Sequence, residues 1–421
     1  MMNRHPVNPE SIASESINPA SINPKIRNQH VINSQLADLT TEQRIAHLAS
    51  LGFSGSYLPD DVVFLLRKLN LKPVDNVEKE RLIQSGQRHY SEMIGTENPP
   101  SDTHLALYRQ ALAQGDQRFA TETLKLANAL MARHAQPIIL VSLVRAGVPL
   151  GVCLKRAISA AGRLCYHYGI SIIRDRGIDR AALEAIIQTH GATGIVFVDG
   201  WTGKGAISRE LNHNIIPDQR FQLDQPDMAP LVTLADVGGC AWLAASADDW
   251  LIPSGILGSV ISGLISRSIL QQDIPPEQAI NDCFNPQNWH GCIEYSHLAA
   301  QDLSREFVDH ITAICQTLQV DQVAHWPIAI RQQQNQQILA VIERIKDTQQ
   351  ISNENRIKTG IAEATRAVLR RVPDMILLQE AAHPDTVLLR HLAAQTGTTV
   401  TVAGSSIAPY HAITLIKRLG E

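Results

Sequence analysis

Three short apolar runs set the strongest limit on how this chain folds: Pro137-Ile138-Ile139-Leu140-Val141, Gly194-Ile195-Val196-Phe197-Val198 and Leu231-Val232-Thr233-Leu234-Ala235. None alternates apolar with polar residues, so neither face of such a strand is meant for water. Each is followed by turn residues and then a stretch with helical spacing. Strand, loop and helix repeated in that order predict right-handed crossovers and a parallel sheet, with ligands at the carboxyl ends of the strands. The loops that matter are therefore 142–147, 199–206 and 236–240. Aromatic residues make up only 5% of the chain, which suits layers of Leu, Ile, Val and Ala. The expected class is α/β.

At 421 residues the chain has room for two or three domains. Residues 1–45 repeat Ser-Ile-Asn-Pro at 16–19 and 21–24 and read as a disordered tail, because Asn-Pro steps break helices and little apolar surface is available to bury. Residues 46–318 form the main unit. Within it Asp60-Asp61 is expected to cap a short helix over Val62–Leu66, and helical spacing runs through 78–83 and 105–131. Small residues among Ile and Leu at 254–268 point to close helix packing. Residues 319–350, rich in Gln, read as a helical linker, and 351–421 as a separate small α/β unit. Its expected elements are a helix from Gly360, a strand at Met375–Leu378, a helix near Val387 to Ala394 and a strand at Thr398–Val402. Lys and Arg total 37 against 41 for Asp and Glu, which excludes a chain-wide polybasic nucleic-acid binder. Six scattered cysteines without a C-x-x-C pair indicate neither a disulfide framework nor a thiolate zinc site. No stretch of about 18 apolar residues occurs, so no membrane partner is expected and the cytosol is the expected location.

The sharpest constellation is Val198-Asp199-Gly200-Trp201-Thr202-Gly203-Lys204-Gly205-Ala206. A buried strand ends in a carboxylate, and a loop of Gly and Thr then opens a helix. Glycine lets backbone N–H groups turn inward at a helix N-terminus, which makes a phosphate cradle. Asp199 at the strand end is placed to accept hydrogen bonds from vicinal hydroxyls. The spacing fits neither a P-loop nor a dinucleotide fingerprint. A glycine-rich turn without a ligand explains the same residues.

Strand, acidic residue and Thr/Gly loop resemble the PRPP loop of type I phosphoribosyltransferases, and Ser142-Leu143-Val144-Arg145-Ala146-Gly147 resembles that family's pyrophosphate turn. Together with Phe53-Ser54-Gly55-Ser56-Tyr57, Arg174-Asp175-Arg176-Gly177 and Pro253-Ser254-Gly255, the assembly over roughly 50–315 resembles the phosphoribosyltransferase-like proteins of bacterial tellurite-resistance gene clusters, a family also labelled as cysteine proteases. Gly200 departs from the usual second acidic residue. The resemblance implies a type I phosphoribosyltransferase-like parallel sheet and Mg²⁺-dependent transfer of a phosphoribosyl group from PRPP to an acceptor. It places Asp199 on the ribose hydroxyls, Thr202, Gly203, Lys204 and Gly205 on the 5′-phosphate, and Ser142, Ala146 and Gly147 on pyrophosphate, with Gly200 among the positions that line the PRPP site. Arg145 and Lys204 join Asp199 as catalytic groups, Arg174 and Arg176 add cations, and Asp199 and Asp236 hold the metal. Solvation or an internally paired turn accounts equally for Arg174-Asp175-Arg176, and capping for Asp236. A second expectation is a thiol hydrolase centred on Cys240, with His167, His290 or His297 as its partner, against a plain buried thiol. A third is a noncatalytic PRPP or nucleotide sensor that controls RNA binding.

Gly360-Ile361-Ala362-Glu363-Ala364-Thr365-Arg366, followed by the strand at 375–378, resembles the L7Ae/Pelota-like RNA-binding fold, a small α/β domain. The resemblance assigns RNA contacts to Gly360, Glu363 and Arg366, with Ala362 where an Asn is usual. Residues 351–421 carry eight Lys or Arg against six Asp or Glu, which permits RNA without demanding it. A domain used only for packing fits as well.

Overall fold

The computed structural model describes residues 38–135, 137–270 and 275–418; most of the expected tail, 1–37, lies outside them. Six strands, β1 (Val63–Phe64), β2 (Ile138–Leu143), β3 (Cys165–Ile170), β4 (Ile195–Thr202), β5 (Leu231–Asp236) and β6 (Leu243–Ser246), form one sheet in the order β1-β3-β2-β4-β5-β6. Every neighbouring pair is parallel. The three apolar runs are its central strands, buried on both faces as their lack of alternation requires. Strand order reverses beside β2, so the crevice between the loops after β2 and β4 lies at a topological switch point.

Helices α1 (Asp102–Arg133), α2 (Val148–Ala160), α3 (Ala206–Ile215) and α4 (Ser304–Thr317) accompany this sheet. Ser101 caps α1 by accepting the His104 amide at 3.2 Å. Its apolar face buries Tyr108, Phe119, Leu126 and Leu130, and Phe119 meets Phe307 of α4 edge-on at 5.2 Å.

Two expected helices are corrected. Val63–Phe64 is an edge strand paired with Tyr168–Gly169, because the apolar run is needed at the sheet margin and Asp61 is engaged by Arg156 at 2.7 and 2.8 Å rather than by a following helix. The 254–268 stretch has only two short 3₁₀ turns, Pro253–Gly255 and Ser259–Ile261. There the Ser262 hydroxyl bonds its own backbone at Gly258 O (2.9 Å) and Gly263 takes φ +83°, both of which interrupt a helix. Helix Thr41–Leu51 occupies the last residues of the stretch read as tail.

Helix α5 (Ile328–Thr348) precedes a four-stranded sheet of β7 (Ile357–Thr359), β8 (Pro373–Leu378), β9 (Thr399–Val402) and β10 (Ala412–Ile416), in the order β7-β10-β8-β9, with α6 (Ile361–Arg370) and α7 (Val387–Thr396). Ile338, Val341, Ile342 and Ile345 of α5 share a core with Ile357, Leu377, Tyr410 and Leu415, so the helix packs as part of this module. Among the described residues no helix is long and apolar enough to cross a membrane.

Candidate functional site

The carboxyl ends of β2, β4 and β5 bring the three singled-out loops together. Glycine is needed where backbones close up: a Cβ on Gly147 would stand 2.1 Å from Val198 O, and one on Gly200 2.9 Å from Ala146 O. Gly205 takes φ +78° at the start of α3. Ala146, Arg174, Asp199, Thr202–Ser208 and Glu363 of α6 surround a cavity of about 120 Å³.

Few of the expected ligand-binding groups are free to receive a ligand. Asp199 accepts the Gly200 amide at 2.8 Å, and burial pushes its carboxyl up to about 7, with Arg366 opposing and Glu363 adding to the rise. Lys204 is buried and donates to the carbonyls of Ile357, at 2.9 Å, and Glu354; burial brings its ammonium down to about 8. Arg145 is buried, paired with Glu97 at 2.8 Å and bonded to Ile265 O at 2.8 Å. Although burial raises Glu97, Arg145 and Arg370 hold it down at about 2. Ser142 is fully buried, with its Oγ 2.7 Å from His167 Nε2. Arg174 reaches Asn355, and the Asp175 amide donates to Glu210 at 2.7 Å, so the turn is tied outward rather than paired within itself. Arg176 lines a different cavity, beside Arg67 and Trp289.

Asp199 and Asp236 do not fit a shared metal. Asp199 is level with Thr233 in the sheet and Asp236 with Thr202, three residues farther along. Asp236 is fully buried and already takes four donors: the Thr202 hydroxyl, the amides of Cys240 and Ala241 (2.9 Å each) and Trp326 Nε1 (2.7 Å). Among the described residues no group of three or more His, Cys, Asp or Glu could hold a metal ion.

Cys240 stands in this loop with its Sγ 3.8 Å from Asp236 Oδ1. Burial first, and then the Asp236 carboxylate, push the thiol up to about 12; Ser208, Thr202 and Arg209 pull the other way. Of the six cysteines it alone sits in a loop at the carboxyl end of the large sheet, the others lying in α2, β3, α4, a short strand and the segment after 281. None of the three expected histidine partners is directed at it. His167 bonds Ser142 and Asp61 O, His290 bonds Ser171 at 2.7 Å, and His297 bonds Glu97 O at 3.1 Å.

Glu363 and Arg366 face the 199–206 loop, and Gly360 meets Asp249. Arg366 Nε donates to Gly255 O at 3.0 Å and its guanidinium lies over Trp201, and Glu363 is 3.5 Å from Lys358. In the sequence Asp248-Asp249 reads as a cap for the 254–268 region in preference to a metal site; in the structure the Asp249 carboxylate instead accepts the amides of Ile361 and His411 at 2.8 Å each, capping α6 from 112 residues away.

Residues 55–312 match the family described as tellurite-like stress resistance cysteine protease StiP, and residues 336–418 match the PELOTA RNA binding domain. A curated protein of Acinetobacter baylyi named cysteine protease StiP is 55% identical over 370 residues, which is 88% of this chain and 96% of that protein. No solved structure matches. The expected enzyme class is thereby corrected: the relative is named a protease, hence a hydrolase, so transfer of a phosphoribosyl group from PRPP with Mg²⁺ is not the activity this kinship supports. The expectation it favours is the thiol hydrolase.

Proposed function

The chain belongs to the tellurite-like stress resistance cysteine protease family, and from that premise we propose that it is a thiol hydrolase of peptide bonds with Cys240 as nucleophile. The position of Cys240 carries this reading: it is the cysteine at the carboxyl end of a parallel sheet, beside two hydroxyls and a guanidinium that favour its thiolate. The Sγ thiolate attacks the scissile carbonyl carbon, the C–N bond breaks, and the amine leaves with a proton. Water then hydrolyses the thioester and returns the free thiol. In the resting site the thiol holds its proton, because burial and Asp236 both oppose charge on sulfur. Rehydrating the loop removes the larger of those two effects and leaves Arg209, Ser208 and Thr202 to stabilise the thiolate.

The scaffold we read as phosphoribosyltransferase-like, supported by the all-parallel sheet and by the acid-ended β4 with its Thr/Gly loop. The RNA-binding module we draw from Ile328, since α5 shares its core.

Incubation of the full-length protein with an unstructured protein substrate tests the activity. Cys240→Ser is expected to lose it by a factor of roughly a thousand or more, as nucleophile removal does in other covalent hydrolases, with the circular dichroism spectrum unchanged. Undiminished cleavage by the folded variant overturns the assignment.

A further inference from the structure

The face of the C-terminal module that rests on the sheet's loops is also where its cations gather. Of the eight Lys or Arg in 351–421, four stand at this seam. Lys358 is buried beside Glu363, and Arg366 lies on Trp201 and Gly255. Arg370 neighbours Arg145 and Glu97, and Arg371 pairs with Glu80. The opposing surface adds Lys79, Arg145, Arg174, Lys204 and Arg267, so the cations outnumber the carboxylates that pair with them, Glu80, Glu97, Asp199, Glu354 and Glu363. Burial brings Lys358 down to about 7 and Arg370 to about 10, with Glu363 and Glu97 opposing and the neighbouring cations adding to the fall. Apolar residues of α6 and α7 pack into the large sheet's core at this seam, and its excess of positive charge suits a polyanion, since phosphate contacts dominate nucleic-acid affinity.

The same contacts crowd the loop around Cys240, which is only partly exposed. Tyr410 OH donates to Gly203 O at 3.0 Å, and Gln334 and Asn335 of α5 donate to the carbonyls of Val237 (3.0 Å) and Gly238 (2.8 Å) beside the cysteine. The neighbouring cavity of about 120 Å³, lined by the 202–208 loop and Glu363 rather than by Cys240, is well below the roughly 300–1,000 Å³ of ordinary ligand pockets. We propose that RNA and the loops of the large sheet compete for this one cationic face of the C-terminal module, so that binding RNA lifts the module and exposes Cys240. The catalytic consequence rests on the Cys240 reading above; the competition does not.

Thiol accessibility tests it without requiring activity. The full-length protein is treated with iodoacetamide at low salt, with and without bulk transfer RNA, and alkylation of Cys240 is followed by peptide mass spectrometry. RNA is expected to speed labelling at least about fivefold, the lower end of ordinary coupling between sites. Gly203→Cys with Thr359→Cys supplies the converse. A Cβ at Gly203 would stand 2.8 Å from Thr359 Oγ1, so the pair can bridge across the seam. By reciprocity the oxidised variant binds the RNA at least about fivefold more weakly than the reduced one. RNA that fails to bind, RNA that binds without changing the labelling rate, or equal affinity of locked and reduced variants overturns the proposal. Faster labelling with heparin but not with transfer RNA overturns RNA as the partner. Faster labelling with RNA in a protein that cleaves no peptide overturns the hydrolase and leaves the competition standing.

Discussion

Asp236 does more to shape the candidate site than any other side chain, because four donors converge on its two oxygens and so fold the 236–241 loop back on itself. It holds Cys240 in place and at the same time opposes its ionisation, a combination that suits a nucleophile kept at rest. A second buried polar pair lies on β2 and β3, on the far side of β4. His167 Nδ1 is 2.7 Å from Asp61 O, which can only accept, so Nδ1 carries the proton and Nε2 is free to accept from Ser142. Burial brings this imidazole down to about 4, below its ordinary value of about 6.5. On acidification through that window the unfolded chain takes up a proton that the folded one refuses, so stability is present at neutral pH and is lost as pH falls. Between pH 7 and pH 5 this group removes about 2 kcal/mol of stability. In His167→Gln the urea-unfolding free energy should fall by about 2 kcal/mol less than in the wild type over that interval; an unchanged pH slope would show that the imidazole is not held neutral.

Helix α2 reaches the sheet closely enough to cover this pair only because Gly151 lacks a side chain. A Cβ there would stand 2.2 Å from Ser142 Oγ and 2.4 Å from His167 Nε2, and these two atoms are hydrogen-bonded to each other. Alanine gains about 0.5–1 kcal/mol in a helix interior, but the forced shift costs more, so Gly151→Ala should destabilise by about 1–3 kcal/mol in denaturant titration. Equal or higher stability would mean that α2 has room to move. The elements that could be read from sequence are those whose pattern is decided locally. The buried runs of β2, β4 and β5 and the helical spacing of α1, α6 and α7 needed no distant partner to be recognised. Strands β1 and β3 were missed because Val63–Phe64 is two residues long and Cys-Tyr-His-Tyr-Gly-Ile mixes polar residues whose partners, Ser142 for His167 and His190 for Tyr168, lie elsewhere in the chain. The gathering of Asp199, Thr202 and Lys204 followed from one contiguous loop. What seats on that loop, Glu363 and Tyr410 from a module more than 150 residues on, left no mark in its local pattern.

At the scale of the molecule, one carboxylate ties the module to the large sheet from below the cationic seam. Asp249 follows β6, is buried, and receives the amides of Ile361 at the start of α6 and His411 beside β10. Gly360 approaches it closely enough that a Cβ would stand 3.1 Å from its Oδ1. These two bonds belong to backbone amides that have no other acceptor once the module is seated, so losing the carboxylate strands both of them. The same bonds span only the seam, whereas Ile361, Val368, Leu388 and Leu392 of the module also pack into the large sheet's apolar core, and Val237 packs into the module's. Asp249→Ala should weaken seating by about 2–4 kcal/mol, two buried amides left without an acceptor, while the apolar contacts persist. Hydrogen exchange in the full-length variant should quicken first in 357–371 and 410–416 and along the 202–208 loop, ahead of β2 and β4, because local opening follows the weakest contacts. Cys240 should become easier to alkylate in the same variant without RNA. Exchange that rises uniformly across both sheets would instead make Asp249 part of the common core and leave the module with no separate opening.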